Sequence, residues 1–315
     1  MHYLRVGLIL ISCTVLNSNS PIARGAYLLV AGKTSNNVVR FDVDTGAADV
    51  YATFSIPSSA RDLELDENGQ LYSSTSQGHQ NVVTFVPQGR FGMLSSIDFT
   101  PDIDGFGPGQ IQFYNGDLYA AGDASRAIIQ YHGDTGAEIR RFSVTQSFNI
   151  RGMTIADDKL YYAEIFQERI RRMDLTQSPP TGGTFITDTT NLNEPMDMIV
   201  GGNGNLFVTN RASTLIQEYD IDTGAFVGTF SNLQSFNAAA VPGDTGIAFD
   251  PALNNYLFAS GNSVYRVSAA GTLLQTYQSP FLSGAYGLVV VPVPEPSALF
   301  AAISALISLV IVRRR

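Results

Sequence analysis

A pattern of four short strands recurs along most of this chain, and residues 198–230, MIVGGNGNLFVTNRASTLIQEYDIDTGAFVGTF, show it most plainly. An apolar run, Asn-Gly turn chemistry, a second apolar run, a polar loop, an alternating strand, an Asp-Thr-Gly turn and a last strand follow one another. Such a unit has two apolar faces and must bury them against neighbours of its own kind.

Aligning the copies on the apolar residue of the innermost strand gives Leu63, Ile111, Met153, Met198, Ile247 and Leu288, spaced 41 to 49 residues apart. The second strand recurs as QLYSST, DLYAAG, KLYYAE, NLFVTN, YLFASG and AYLLVAG, and the third as NVVTFV, AIIQYH, RIRRMD, LIQEYD, SVYRVS and NVVRFD. The first copy, residues 27–54, starts at its second strand; the last, residues 288–291, supplies only an innermost strand. Joined, they complete one unit from both chain ends, which removes the free edges of an open array. The expectation is an all-β, six-bladed β-propeller with N- and C-terminal strand closure over residues 26–291. The pattern resembles NHL-like six-bladed propellers. A parallel β-helix is the other repeat architecture, and its repeats are far shorter.

Composition agrees with many short strands and tight turns: 29 glycines, 10% aromatic residues and only 15% charged ones. The body carries 14 basic residues against 27 acidic once residues 1–25 and 292–315 are set aside. Such a surface repels phosphate backbones and anionic lipid, so nucleic acid is not an expected partner. The single cysteine, Cys13, lies outside the body, which excludes disulfides and a cysteine nucleophile there.

The two ends read as addresses. Residues 1–25 have a basic start ending at Arg5, an apolar run to Leu16, and Ala23-Arg24-Gly25 as a small-residue cleavage site, the layout of a secretory signal peptide. Leu10-Ile11-Ser12-Cys13 also resembles a bacterial lipobox, which would lipidate Cys13 instead. In residues 292–315 the order is Pro294-Glu295-Pro296, an apolar stretch over residues 297–312, then Arg313, Arg314 and Arg315. As a helix that stretch would be about 24 Å long, short for a hydrocarbon core of about 30 Å, and the arginines would stay cytoplasmic. The order resembles the PEP-CTERM sorting signal, whose tail is also known as the ice-binding protein C-terminal domain. The resemblance implies an exosortase-type transpeptidase as partner and delivery to the cell surface or exopolysaccharide matrix. It also implies a transmembrane helix that holds the body on the outer side of the inner membrane before processing. A plain C-terminal anchor is the alternative.

Chemistry is expected at the end of the ring where long loops lead into the inner strands. If Leu63 and its equivalents pack between blades, the residues on either side line an axial channel: Asp62 and Glu64, Gln110 and Gln112, Asp197 and Ile199 among them. Arg151 sits near the mouth with Arg61, and Glu164 and Asn210 share a position at the end of the second strand. Asp62, Glu64 and Asp197 could hold Ca²⁺, an oxygen-seeking ion, in a site similar to that of gluconolactonase-like propellers. A solvated polar channel explains the same residues. The Asp42-Val43-Asp44-Thr45-Gly46 and Asp220-Ile221-Asp222-Thr223-Gly224 segments read as turns capped by Asp, since no bidentate Glu follows at the twelfth position. Asp102-Ile103-Asp104-Gly105 belongs to a longer loop. The histidines of the body, His79 and His132, lie in no catalytic spacing, and Arg140, Arg141, Arg169, Arg171 and Arg172 alternate along strands as solvated faces would. These features point to a surface or matrix binding and scaffold module for polysaccharide or surface proteins, with no cofactor required. The alternative is a divalent-metal-dependent lactonase- or lyase-type hydrolytic propeller.

Overall fold

The structure, a computed structural model, describes residues 26–55, 60–75, 80–88, 93–101, 107–122, 126–144, 149–178, 180, 182–237 and 243–291. The leader (1–25, with Cys13), the tail (292–315, with Pro294, Glu295, Pro296 and Arg313 to Arg315), His79 and the loop of Asp102 to Gly105 lie outside the described residues.

The repeat appears in three dimensions as consecutive antiparallel strands. The chain runs β1 (Tyr27–Gly32), β2 (Asn37–Asp42) and β3 (Ala48–Thr53), then β4 (Ala60–Leu65), β5 (Leu71–Thr75), β6 (Val82–Gln88) and β7 (Met93–Asp98). Next come β8 (Pro108–Tyr114), β9 (Asp117–Gly122), β10 (Ala127–His132) and β11 (Glu138–Ser143). β12 (Ile150–Ala156), β13 (Lys159–Glu164), β14 (Arg169–Asp174) and β15 (Gly182–Thr187) follow. The last groups are β16 (Pro195–Val200), β17 (Leu206–Asn210), β18 (Leu215–Tyr219) and β19 (Phe226–Asn232), then β20 (Thr245–Asp250), β21 (Asn255–Ser260), β22 (Ser263–Ser268), β23 (Leu273–Gln278) and β24 (Ala285–Val291). The hairpin turns are closed by their own side chains. Asp42 Oδ1 accepts from Thr45 N at 2.7 Å, and Asp220 Oδ1 accepts from Thr223 N at 2.8 Å. Both Asp-Thr-Gly segments are therefore turn caps.

The expectation of six blades is corrected, while the expected C-terminal helix falls on residues outside those described. β8–β11, β12–β15, β16–β19 and β20–β23 form four four-stranded blades, but the remaining strands make one eight-stranded sheet in the order β24-β1-β2-β3-β7-β6-β5-β4. Outer strands β3 and β7 pair in parallel through Ala52↔Leu94 and Thr53↔Ser95. Just beyond, Ser55 N donates to Ser96 Oγ at 2.9 Å, and Phe54 packs edge-on to Phe85 with ring centroids 5.2 Å apart. Two outer edges with unpaired backbone groups thus meet over a shared apolar layer and join. Every other strand pairing among the described residues is antiparallel, which excludes the parallel β-helix. The described helices are the turns Ile165–Gln167 and Leu233–Phe236, and no helix among the described residues is long and apolar enough to cross a membrane.

The chain ends do pair: β1 runs antiparallel to β24, with Val30 opposite Leu288 and Tyr27 opposite Val291. The innermost strands β4, β8, β12, β16, β20 and β24 touch in that order and β24 returns to β4, so they encircle an axis. All six aligned residues, Leu63, Ile111, Met153, Met198, Ile247 and Leu288, are buried. Each contributes about 1.5–3 kcal/mol of apolar burial in the layers between sheets, such as Tyr119, Phe142, Met153 and Tyr162 in one and Tyr161, Met198, Val208 and Tyr219 in another.

Candidate functional site

The residue just before each aligned position carries the contact to the next inner strand. Where it is polar, its side chain accepts a neighbouring backbone N–H: Asp62 Oδ2 from Ile111 N at 2.9 Å, Gln110 Oε1 from Met153 N, and Asp197 Oδ2 from Ile247 N at 3.0 Å. Where it is glycine, the backbones themselves close up. A Cβ on Gly152, Gly246 or Gly287 would lie 2.8 Å from Met196 O, 1.9 Å from Tyr286 O and 2.5 Å from Asp62 Cα, respectively. Each inner strand has a backbone edge that no strand covers, and the Asp62, Gln110 and Asp197 side chains each satisfy one N–H of it.

The other oxygens of the two aspartates are also committed. Asp62 Oδ1 accepts from Leu63 N at 2.9 Å and Asp197 Oδ1 from Met198 N at 2.8 Å. A second-strand hydroxyl completes each staple: Ser74 Oγ donates to Gly109 O at 2.7 Å, and Thr209 Oγ1 to Thr245 O at 2.9 Å. Glu64 Oε1 accepts weakly from Phe113 N at 3.4 Å, and Gln112 Oε1 from Ile155 N at 2.7 Å. The channel they line is narrow, about 200 Å³.

Burial pushes these carboxyls up, Asp197 to about 7 and Glu64 to about 8. Asp62 also rises well above the usual range, through burial first and then the facing Asp197 charge. Among the described residues no group of three or more His, Cys, Asp or Glu is placed to hold a metal ion. With both oxygens of Asp62 and of Asp197 already accepting backbone N–H groups, the trio Asp62, Glu64 and Asp197 does not fit a calcium site.

The chemistry instead gathers at the mouth. β4, β8, β12, β16 and β24 each carry a register shift where they begin, for instance between Ala60 and Leu63 and between Ile150 and Met153. Bulges of this kind re-aim side chains. Asp244, at the start of β20, ties the mouth together: its Oδ1 lies 3.2 Å from Arg151 Nη1 and 3.5 Å from Arg211 Nε, while its Oδ2 lies 2.8 Å from Lys33 Nζ. Arg61 adds its charge to the same carboxylate. Burial works to raise the Asp244 carboxyl, but the Lys33 hydrogen bond and the Lys33, Arg151 and Arg61 charges together hold it below the usual range. Glu194 pairs with Arg211 at 3.0 Å. Tyr286, Met196 and Ile165 form a buried apolar cluster there. Among the described residues, Lys33, Arg61, Arg151 and Arg211 thus gather with Asp244 and Glu194 on an acidic body. At the same end Phe166 and Phe281 are exposed.

The expected site residues are divided by the structure. Arg151 belongs to the cationic mouth. Asp62, Glu64 and Asp197 line the channel as inter-strand acceptors. Glu164, fully buried, pairs with Arg169 and, at 3.6 Å, with Arg171 of its own blade. Asn210 accepts from Asn193 N at 2.9 Å and donates to Leu215 O at 3.2 Å, bracing loops. Lys33, Arg211 and Asp244 were missed by sequence reasoning, yet a signal existed. Arg61 and Arg151 stand two residues before the aligned positions of their units, and Lys33 and Arg211 each directly follow a second strand.

Solved structures share the fold. A chain of the nidogen/laminin complex superposes with a TM-score of 0.65 at 15% identity, covering 84% of this chain and 98% of that one. The fold is a β-propeller. A putative 6-phosphogluconolactonase from Bacteroides uniformis gives a TM-score of 0.55 at 12% identity over 85% of this propeller and 100% of that chain. A catalytically inactive virginiamycin B lyase from Staphylococcus aureus with quinupristin gives 0.52 at 11% identity over 81% and 75%. At these identities the likeness concerns the fold alone. No family model matches the chain, and no curated protein matches it.

Proposed function

We propose that this propeller is an exported binding and scaffold module that engages an anionic component of the cell surface or matrix, an acidic polysaccharide, at its axial mouth. The observation that carries the reading is the gathering of Lys33, Arg61, Arg151 and Arg211 around Asp244, with Glu194 beside Arg211. Cations gathered at one end of an acidic body focus negative ligands there. The hydrolytic alternative is not favoured, because two of the three carboxylates that its ion needs, Asp62 and Asp197, accept backbone N–H groups with both oxygens.

The address rests on the terminal sequences. The leader supports export. The Pro294-Glu295-Pro296 motif and Arg313, Arg314 and Arg315 support PEP-CTERM sorting, with an exosortase-type transpeptidase as the processing partner. The intact mass of the protein from its own cells tests this: a mass lacking both terminal segments supports it, and an unprocessed mass rejects it.

Binding is tested with the purified protein on immobilised acidic and neutral polysaccharides. Acidic polysaccharide should be retained, released by salt, and lost on charge reversal in an Arg211→Glu, Lys33→Glu double variant. Retention indifferent to salt and to both reversals rejects the reading.

A further inference from the structure

Beside the mouth lies a cavity of about 520 Å³, within the roughly 300–1,000 Å³ range of small-ligand sites. It opens between the first hairpin turn of the chain, the end of β21 with its turn into β22, and the residues leading into β20 and β24. It is lined by Lys33, Asp244, Asn237 and Asn262, together with the nearly buried Tyr265 and Tyr286. The remaining lining is small, mostly glycine, serine and alanine, and this leaves the space open.

The polar groups are fixed rather than loose. Asn237 Nδ2 donates to the Tyr265 hydroxyl at 3.2 Å, and Asn262 Oδ1 accepts from Gly284 N at 2.9 Å. Amide, carboxylate and ammonium groups converging on one cavity are the chemistry that recognises a ring bearing several hydroxyls, since each hydroxyl both donates and accepts. Asp244 connects this cavity to the mouth, since Oδ2 meets Lys33 in the cavity wall and Oδ1 meets Arg151 and Arg211. A larger cleft of about 590 Å³, flanked by Arg140, Arg141 and Arg171, offers less. Its guanidinium groups already bond Gln130, Glu138 and Gly182 O.

We propose that this cavity holds one pyranose unit of the polysaccharide chain, with the acidic substituent of that unit or of its neighbour lying against the Arg151–Arg211 cluster. The proposal rests on the anionic-ligand reading above and adds to it a defined sugar subsite. The ligand class is a uronate-containing glycan.

The test titrates the full-length protein with an oligouronate and with a neutral gluco-oligosaccharide of equal length. Thr34→Trp fills the cavity rim without removing any of the charged or amide groups named, and Arg211→Glu reverses charge at the mouth alone. Thermal melts confirm that each variant is folded. The expected result is oligouronate binding stronger than neutral binding, weakened about tenfold or more by Thr34→Trp and also weakened by Arg211→Glu. Full affinity in Thr34→Trp with loss in Arg211→Glu would overturn the sugar subsite and leave the anionic mouth standing. Equal binding of both oligosaccharides, lost in Thr34→Trp but untouched by Arg211→Glu, would instead overturn the acidic preference. Binding of neither oligosaccharide overturns the subsite outright.

Discussion

The carboxylate of Asp197 joins two blades: one oxygen accepts Met198 N of its own strand at 2.8 Å, and the other accepts Ile247 N of the next at 3.0 Å. Asp62 repeats the arrangement with Leu63 and Ile111. Truncating the Asp197 side chain to a methyl group strands two backbone donors in a buried setting, at about 1–3 kcal/mol each. Asp197→Ala should therefore lower the melting temperature clearly, and Asp197→Asn, which keeps one acceptor, by less. Equal melting of Asp197→Ala and the parent would show that water replaces the carboxylate without loss.

Gly287 is one of the glycines at which neighbouring inner strands come into backbone contact. A Cβ at Gly287 would stand 2.5 Å from Asp62 Cα, a backbone atom that cannot swing away, whereas one at Gly183 would meet nothing within 4 Å. Gly287→Ala should cost about 1–3 kcal/mol, visible as a lower denaturant midpoint. Gly183→Ala, the control on an outer strand, should stay within about 0.5 kcal/mol of the parent.

The channel carboxyls give stability a pH slope. Burial raises Glu64 from its ordinary 4.5 to about 8, so between those values the folded form binds more protons than the unfolded one. Its contribution is full below about pH 4.5 and is lost as pH climbs through about 8; Asp197 adds a similar loss ending near 7. Glu64→Gln, which still accepts from Phe113 N, should flatten the fall in stability over that window. Denaturation midpoints of parent and variant across the window check it, and parallel slopes would count against it.

Asp244 restrains the mouth as well as organising it. Asp244→Asn removes the negative charge shared by Lys33, Arg151 and Arg211. It should lower thermal stability while strengthening retention of acidic polysaccharide and steepening its salt dependence. Weaker retention at low salt would show that the hydrogen bonds of the carboxylate to the sugar outweigh its repulsion of the acidic groups.

Much of this was legible in the residue order. The aligned positions from Leu63 to Leu288 fell on the inner strands and are buried, and the partnership of residues 27–30 with 288–291 was readable because each end lacked what the other supplied. The Asp-Thr-Gly turns were equally plain, being local hydrogen-bond chemistry. The fusion of β3 with β7 was not legible, since edge pairing between outer strands leaves no mark on the repeat period. Nor was the engagement of Asp62 and Asp197: a carboxylate between blades and a carboxylate facing a ligand have the same spacing in sequence.

Periodicity alone determined the strand count per unit, the inward residues and the meeting of the chain ends, because alternation and repeat length act along the chain. Tertiary structure decided which carboxylates were consumed in closing the axis and which cations met, Lys33 reaching Asp244 across 211 positions. That second kind of fact depends on how neighbouring backbones approach and bulge, a property of the closed ring and of no single unit.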